Sequence, residues 1–241
     1  MLQVDHVYKS YRRGQQVLKD INLTVGNGEL VGLVGESGSG KSTLAKVIMQ
    51  LEKPDKGTVL FQNQAITKHN RTSFYEKCQL IFQNATAALN PTWTVRELLR
   101  EPLQHQSSVN DTYLQTMLER VKLPADILQA LPTELSGGER QRVNLLRSIL
   151  IEPQLIVCDE IVSSLDRLIQ REIIDLLVTL NKERDMAMLF ISHDLKAVSY
   201  LCDRIYVMKA GEIVDESYKE KNSFAFTDSY AQRLFQAIHH A

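Results

Sequence analysis

The sequence predicts an α/β fold in which helices and strands alternate around a central sheet, and three observations carry that prediction. The apolar run at residues 31–34 enters a glycine-rich loop and emerges as a segment with Leu44, Val47, Ile48 and Leu51 on one helical face. Leu155-Ile156-Val157-Cys158 and Met188-Leu189-Phe190-Ile191 are continuous apolar runs, the pattern of parallel strands covered on both faces. Between Asn84 and Ile151 the β-branched runs give way to helical spacing, so a helical insertion interrupts the sheet.

The elements follow in order. Short β-prone runs at 4–8, 17–18, 21–25 and 30–34 alternate with turn residues and predict a strand-rich opening subdomain. A helix is expected from Ser42 onward. Pro54-Asp55-Lys56-Gly57 is a turn by its chemistry, and strands follow at 58–61 and 79–82. In the insertion, Leu98/Leu99/Leu103, Leu114/Met117/Leu118/Val121 and Val143/Leu146/Leu150 keep helical spacing. Thr94-Val95-Arg96-Glu97 reads as a capping box that opens the first of these helices, just after Asn90-Pro91 has broken the chain. After the strand at 155–158, Ile169, Ile173, Leu176, Leu177 and Leu180 line one side of a helix over 168–182. A further helix at 195–201 precedes two β runs flanking Ala210-Gly211, which predict a hairpin.

Composition excludes several classes. The chain has 241 residues, 44% hydrophobic and 24% charged, so it is neither disordered nor fibrous. A formal net charge of −1 supplies no basic footprint, and no nucleic-acid partner is expected. No apolar run reaches the roughly 20 residues that span a bilayer, and the first residues lack the pattern of a signal peptide, so a cytoplasmic chain is expected. Cys78, Cys158 and Cys202 lack metal-type spacing and read as reduced, mostly buried small hydrophobes.

The loop Gly35-Glu36-Ser37-Gly38-Ser39-Gly40-Lys41-Ser42-Thr43 has the pattern G-x-x-x-x-G-K-[ST] of a phosphate-binding P-loop. Its glycines let successive N–H groups turn inward on a polyphosphate. The following helix aims its positive end at the same point, Lys41 can reach β- and γ-phosphates, and the Ser42 hydroxyl can ligate Mg²⁺. A nucleoside triphosphate is the implied ligand; G-x-G-x-x-G fails, because Thr43 stands where the third glycine belongs.

Two further strings complement the loop. Asp159-Glu160 ends an apolar strand, where Asp159 can hold Mg²⁺ through water and Glu160 can orient or deprotonate an attacking water. In Leu135-Ser136-Gly137-Gly138-Glu139-Arg140-Gln141-Arg142, Ser136 and Glu139 make a capping box and the two glycines expose the N–H groups of a helix start, a second anion site. An ordinary well-capped helix is the other reading of this string.

With these motifs in order, the chain resembles the nucleotide-binding ATPase subunits of ABC transporters over nearly its whole length. Residues 35–43 resemble Walker A, 155–159 Walker B followed by Glu160, and 135–139 the LSGGQ signature. Tyr11 matches the aromatic that stacks on adenine, Gln83 the Q-loop, Ser164-Leu165-Asp166 the D-loop and His193 the switch histidine. The resemblance implies a P-loop NTPase core with a mixed sheet, an antiparallel β subdomain and an inserted helical subdomain. It divides a single domain into residues 1–83 with 152–241, and 84–151. It implies ATP and Mg²⁺ as cofactors, the ion held by Ser42, Gln83 and Asp159, and Glu160, His193 and Gln83 as the catalytic set. In the family two subunits sandwich two ATP molecules head to tail, so Ser136, Gly137, Gly138 and Glu139 of one cover the γ-phosphate bound by the other. Two departures stand out: Glu139 replaces the usual Gln, and Leu146-Arg147-Ser148 replaces Ala-Arg-Ala. Neither removes a nucleotide-contacting group.

Within the family, residues 81–84 and 88–91, then 94–97 and 100–103, resemble the ATPases of bacterial dipeptide, oligopeptide and nickel importers, with residues 95–103 and 159–166 nearest the nickel-type branch. The resemblance implies the second, shorter-tailed ATPase subunit of such an importer, without the Cys-rich extension of many relatives. Its expected partners are another ATPase subunit (a heterodimer, with a homodimer as the other arrangement), two transmembrane permeases and, indirectly, an extracytoplasmic substrate-binding protein. It would sit at the cytoplasmic face of the membrane. Trp93 either lines the cleft that receives a permease helix or packs inside the helical subdomain, and His239-His240 reads as a frayed tail rather than a metal site. The competing classes are an exporter subunit and a soluble ABC protein acting on DNA or ribosomes. The latter carry long coiled-coil insertions or tandem cassettes, whereas here Ser136 follows Lys41 by 95 positions.

Overall fold

The computed structural model describes residues 1–12, 14–82, 88–104, 110–162, 166–221 and 223–236, whose strands form two sheets. In the first, β1 (Leu2–Arg12) pairs antiparallel with β2 (Gln15–Val25) and with β4 (Lys56–Phe61), and β5 (Gln64–Ala65) closes the edge. The runs expected separately at 17–18 and 21–25 belong to one strand. Val7 pairs with Ile21 but Lys9 with Leu18, so β2 carries one extra residue there, and Asp20 absorbs it with φ 53°.

The second sheet has the order β10-β9-β3-β8-β7-β6, from β3 (Leu30–Val34), β6 (Cys78–Ile81), β7 (Leu155–Asp159), β8 (Ala187–Ile191), β9 (Arg204–Lys209) and β10 (Glu212–Tyr218). Its neighbours run parallel except at the β9–β10 hairpin, as expected of a mixed sheet. Ala210 (φ 47°) and Gly211 (φ 89°) form that turn; positive φ at both positions matches the right-handed twist of the flanking strands.

The apolar runs are continuous because this sheet is buried on both sides. Val31, Leu33, Leu155, Val157, Leu189 and Ile191 pack with the first sheet and with Leu44, Val47 and Ile48 of α1 (Lys41–Ile48). Val34, Ile156, Cys158, Met188 and Phe190 belong to the other core, shared with the remaining helices. Each fully buried aliphatic side chain contributes about 1.5–3 kcal/mol relative to exposure. The short α2 (Arg71–Lys77) had no legible period: it buries only Phe74, edge-on to Phe61 with ring centroids 5.3 Å apart.

Between β6 and β7 stand α3 (Val95–Arg100), α4 (Asp111–Arg120) and α5 (Gly137–Ile149). Thr94 and Glu97 form the expected capping box, the Thr94 N–H donating to Glu97 Oε2 at 2.7 Å and the Glu97 N–H to Thr94 Oγ1 at 3.3 Å. Leu98, Leu99, Leu114, Leu118, Val143 and Leu146 meet in one core. The helices α6 (Arg167–Arg184), α7 (Leu195–Leu201) and α8 (Ser229–Gln236) follow later in the chain. Ion pairs Arg142–Glu172 and Arg120–Glu183 fasten α5 and α4 to α6. All three cysteines are unbridged and buried, and burial pushes their thiols up. No helix among the described residues is long and apolar enough to cross a membrane.

Candidate nucleotide site

The C-terminal ends of β3, β7 and β8 lie side by side, so the residues that follow them converge on one edge of the sheet. From β3 the chain passes through residues 35–40 into α1, which starts at Lys41. Gly40 caps that helix with φ 110°, and a Cβ there would lie 2.8 Å from both Val17 O and Met208 Cε. Only glycine fits. At Gly38 (φ 81°) an added Cβ would meet nothing within 4 Å, so there the positive φ and not crowding favours glycine.

Lys41 folds back over its loop, with Nζ donating to Gly35 O (2.8 Å) and Glu36 O (2.9 Å). The side chain is buried. Burial lowers its pKa, opposed by the charges of Glu160 and Asp159. The Ser42 hydroxyl donates to Asp159 Oδ1 at 3.1 Å, joining the loop to the end of β7. Burial raises the Asp159 pKa above the usual carboxylate range, with the Ser42 hydrogen bond working against it.

Glu160 takes a left-handed backbone conformation (φ 53°), its N–H donating to Ile191 O at 2.9 Å. This turn sends its side chain to the residue beyond β8, where His193 Nδ1 lies 2.9 Å from Glu160 Oε2. A carboxylate only accepts, so Nδ1 carries the proton. Asp194, next in the chain, caps α7 by accepting from the Ala197 N–H at 3.1 Å.

The structure thus brings Lys41, Ser42, Asp159, Glu160 and His193 together. Tyr11 lies at the margin, half-exposed, donating from Oη to Glu52 Oε1 at 2.6 Å and 3.4 Å from Thr43 Oγ1. Ser136, Gly137, Gly138 and Glu139 are elsewhere: among the described residues no hydrogen bond joins them to the loop. A Cβ on Gly138 would come 2.7 Å from Ile169 Cδ1, so their neighbour is the first turn of α6. Their capping box forms as expected, the Ser136 N–H donating to Glu139 Oε2 at 2.7 Å, and the Ser136 hydrogen bonds hold Glu139 below the usual carboxylate range. Asp166 caps α6 through the N–H groups of Leu168 (3.0 Å) and Ile169 (3.1 Å). Gln83, Ser164, Leu165 and the terminal histidines lie outside the described residues.

A groove of about 960 Å³ opens beside Ser42 and Asp159 and runs to Phe82, Ala88, Glu101 and Arg147. Arg147 pairs with Glu101 across it, so the arginine of the unusual Leu-Arg-Ser string anchors α5 to the turn after α3. Trp93 is partly exposed, at 37%. Two contacts with the loop had no sequence signal: the Glu36 N–H donates to Tyr230 Oη at 3.2 Å, and the Gly211 N–H to Ser39 O at 3.0 Å.

The arrangement fits a polyphosphate with a divalent cation. The Ser39 hydroxyl is buried in the loop with no hydrogen-bond partner among the described residues, a cationic nitrogen rests on the loop carbonyls, and a hydroxyl and a carboxylate converge beside it.

Comparison with known proteins agrees with this geometry. A family model described as "ABC transporter" matches residues 18–163. The nickel import ATP-binding protein NikE of Escherichia coli (strain K12) is 41% identical over 230 residues, covering 92% of this chain and 85% of that protein. The nickel import system ATP-binding protein NikE of a bovine Staphylococcus aureus strain is 37% identical over 243 residues, 99% of both chains. Among solved structures, the dimeric bacterial ABC transporter cassette MJ0796 superposes with a TM-score of 0.82 at 29% identity, covering 90% of this chain and 98% of that one. The cbiO1 protein of Clostridium perfringens, part of the ABC transporter complex cbiONQ, has a TM-score of 0.78 at 26% identity, covering 89% and 87%. With a family model across more than half its length and relatives near 40% identity, the chain belongs to the ABC transporter family and has the fold of its ATPases.

Proposed function

We propose that the chain is the ATP-hydrolysing subunit that powers a bacterial ABC importer for chelated metal of the nickel or cobalt type, or for peptides. The observation that carries the reading is the convergence of Lys41 and the Ser42–Asp159 and Glu160–His193 pairs at one sheet edge. Relatives named as nickel import proteins, similar along almost the whole chain, supply the transport class.

Lys41, buried and held by two carbonyls, exchanges them for β- and γ-phosphate oxygens; an anion offsets its desolvation better than carbonyl dipoles do. The N–H groups of residues 38–43 surround the phosphates, and Tyr11 supplies the ring for adenine. Ser42 and Asp159, with Gln83, would hold Mg²⁺, whose charge offsets that developing on the phosphates. Glu160 accepts a proton from the attacking water. His193, protonated at Nδ1, keeps the Glu160 carboxylate turned toward the reacting centre.

Ser136, Gly137, Gly138 and Glu139, remote from this loop, serve the ATP of a facing subunit, and Asp166 lies at that interface. In this reading residues 84–151 form the signature subdomain and the rest the β subdomain and core. The facing subunit is a second, different ATPase, the groove takes a cytoplasmic helix of one of two permeases, an extracytoplasmic protein delivers the substrate, and the chain sits on the inner membrane face. The test is reconstitution of the chain with its partner ATPase and permeases in vesicles. ATP-dependent uptake of a nickel chelate or a short peptide, abolished by Glu160→Gln, is expected; outward flux, or activity unaffected by the variant, rejects the proposal.

A further inference from the structure

The nucleotide loop is braced from outside by the last third of the chain. Two of its backbone groups are satisfied by segments distant in sequence. The Ser39 carbonyl accepts from the Gly211 N–H of the β9–β10 turn at 3.0 Å, and Gly211 O in turn accepts from the Lys19 N–H at 2.8 Å. The Glu36 N–H donates to Tyr230 Oη at 3.2 Å. The first contact joins backbone to backbone at a glycine with φ 89°, where an added Cβ would lie 2.6 Å from Val17 O, so it needs glycine there but no side chain. The second depends on one side-chain hydroxyl.

That hydroxyl is fixed from several directions. Tyr230 is buried and belongs to the core on the helical side of the parallel sheet. Lys209 Nζ stands 4.7 Å from its ring centroid. Its helix α8 is nailed at the start: Asp228 Oδ1 accepts from the Tyr230 and Ala231 N–H groups, at 2.8 and 3.2 Å. Asp215 Oδ2 on β10 accepts from the Thr227 and Asp228 N–H groups, each at 2.7 Å. Ring contact between Phe226 and Phe235, centroids 4.4 Å apart, closes the segment on itself. Burial pushes the Tyr230 pKa up, so the oxygen facing Glu36 remains a neutral hydroxyl.

We propose that Tyr230 is a positioning residue of the nucleotide site: by accepting from the Glu36 N–H it holds the first bend of the P-loop in the conformation that receives phosphate. The proposal rests on the nucleotide-site reading above and extends it to a residue outside the 18–163 span of the family match. A P-loop binds through backbone dipoles, so its affinity depends on those dipoles being aligned before the ligand arrives. Without the hydroxyl, the Gly35–Glu36 peptide keeps the Lys41 Nζ bond to Gly35 O but loses the one at its N–H, so its orientation is less firmly set. Ordering it again then opposes binding, while the groups that act on the γ-phosphate are untouched.

The test is calorimetric titration of the full-length chain with Mg-ADP, which cannot be turned over. Tyr230→Phe keeps the ring and the Lys209 contact and removes only the hydroxyl. It is expected to weaken Mg-ADP about three- to tenfold, the range of one neutral hydrogen bond. In the reconstituted transporter it should raise the KM for ATP by a similar factor and leave kcat within about twofold. Phe235→Leu trims packing at the other end of α8 and keeps the hydroxyl, so it should weaken Mg-ADP less than Tyr230→Phe does. If Tyr230→Phe binds Mg-ADP as wild type does, or if Phe235→Leu weakens it equally, the positioning role is overturned and α8 is a structural element only. Failure of the wild-type chain to bind Mg-ADP would instead overturn the nucleotide-site reading.

Discussion

His193 Nδ1 lies 2.9 Å from Glu160 Oε2, a contact between residues that follow adjacent strands and reach each other because Glu160 is in a left-handed turn. In the proposed function the pairing orients the carboxylate that takes the proton. Glu160→Gln should therefore bind Mg-ATP with near-normal affinity and lose at least about 100-fold in turnover, the low end for a general base. His193→Ala should lose turnover with little change in Mg-ATP affinity. Single-turnover hydrolysis and calorimetry on the same preparations check both, and near-normal hydrolysis by Glu160→Gln rejects the base assignment.

Lys41 has the opposite signature. Its ammonium donates to the loop carbonyls Gly35 O and Glu36 O, so its loss should appear in phosphate binding. Lys41→Ala should weaken Mg-ATP about 10- to 100-fold, the range of hydrogen bonds to charged groups. Equilibrium dialysis measures it, and an unchanged Kd would contradict the role given to the lysine.

Asp159 is kept at a cost to folding. Burial raises its pKa above the ordinary 3.8, so the ionised form is disfavoured in the folded chain and weakens folding wherever the carboxyl is charged. Asp159→Asn retains an acceptor for Ser42 and removes the charge. It should raise the melting temperature at pH 7 by about 2–4 °C for each kcal/mol relieved. The sign fixes the pH dependence: the gain is present above the folded pKa, shrinks as pH falls, and vanishes below 3.8, where the wild-type carboxyl is protonated folded or unfolded. Added Mg-ADP should stabilise the variant less than wild type. A lower melting temperature for the variant across this pH range would count against the argument.

The three thiols give an independent check on the core. Cys78, Cys158 and Cys202 are buried, and burial raises the pKa of each, so none offers a thiolate to solvent. A maleimide reagent should label none of the three in the native chain and all three in denaturant, as read by mass spectrometry. Rapid labelling of the native protein would show the sheet to be open.

Much of this was legible in the amino-acid order, and the reason is locality. The two-sided strands at 155–158 and 188–191 announce themselves because burial on both faces removes alternation. The capping boxes at Thr94 and Ser136 need only residues three apart. The bulge at Asp20 escaped because the pairing that exposes it lies in the neighbouring strand. Tyr230 escaped more completely: it meets Glu36 across 194 positions, and a lone tyrosine in a helical segment carries no mark of its partner. Helix α2 stayed invisible because one buried Phe74 makes no period.

The place of β3 in its sheet has a consequence for biosynthesis. The strand that launches the P-loop hydrogen-bonds to residues 188–191 on one side and 204–207 on the other. The antiparallel sheet of β1, β2, β4 and β5 closes from pairings within residues 2–65, so it can assemble early on the ribosome. The central strand must wait until β8 and β9 have emerged, long after its own residues were made, because non-local pairing comes late. A nascent chain thus carries the complete phosphate-binding motif for most of its synthesis with no sheet to mount it on, and gains the ability to hold nucleotide only as its final elements fold.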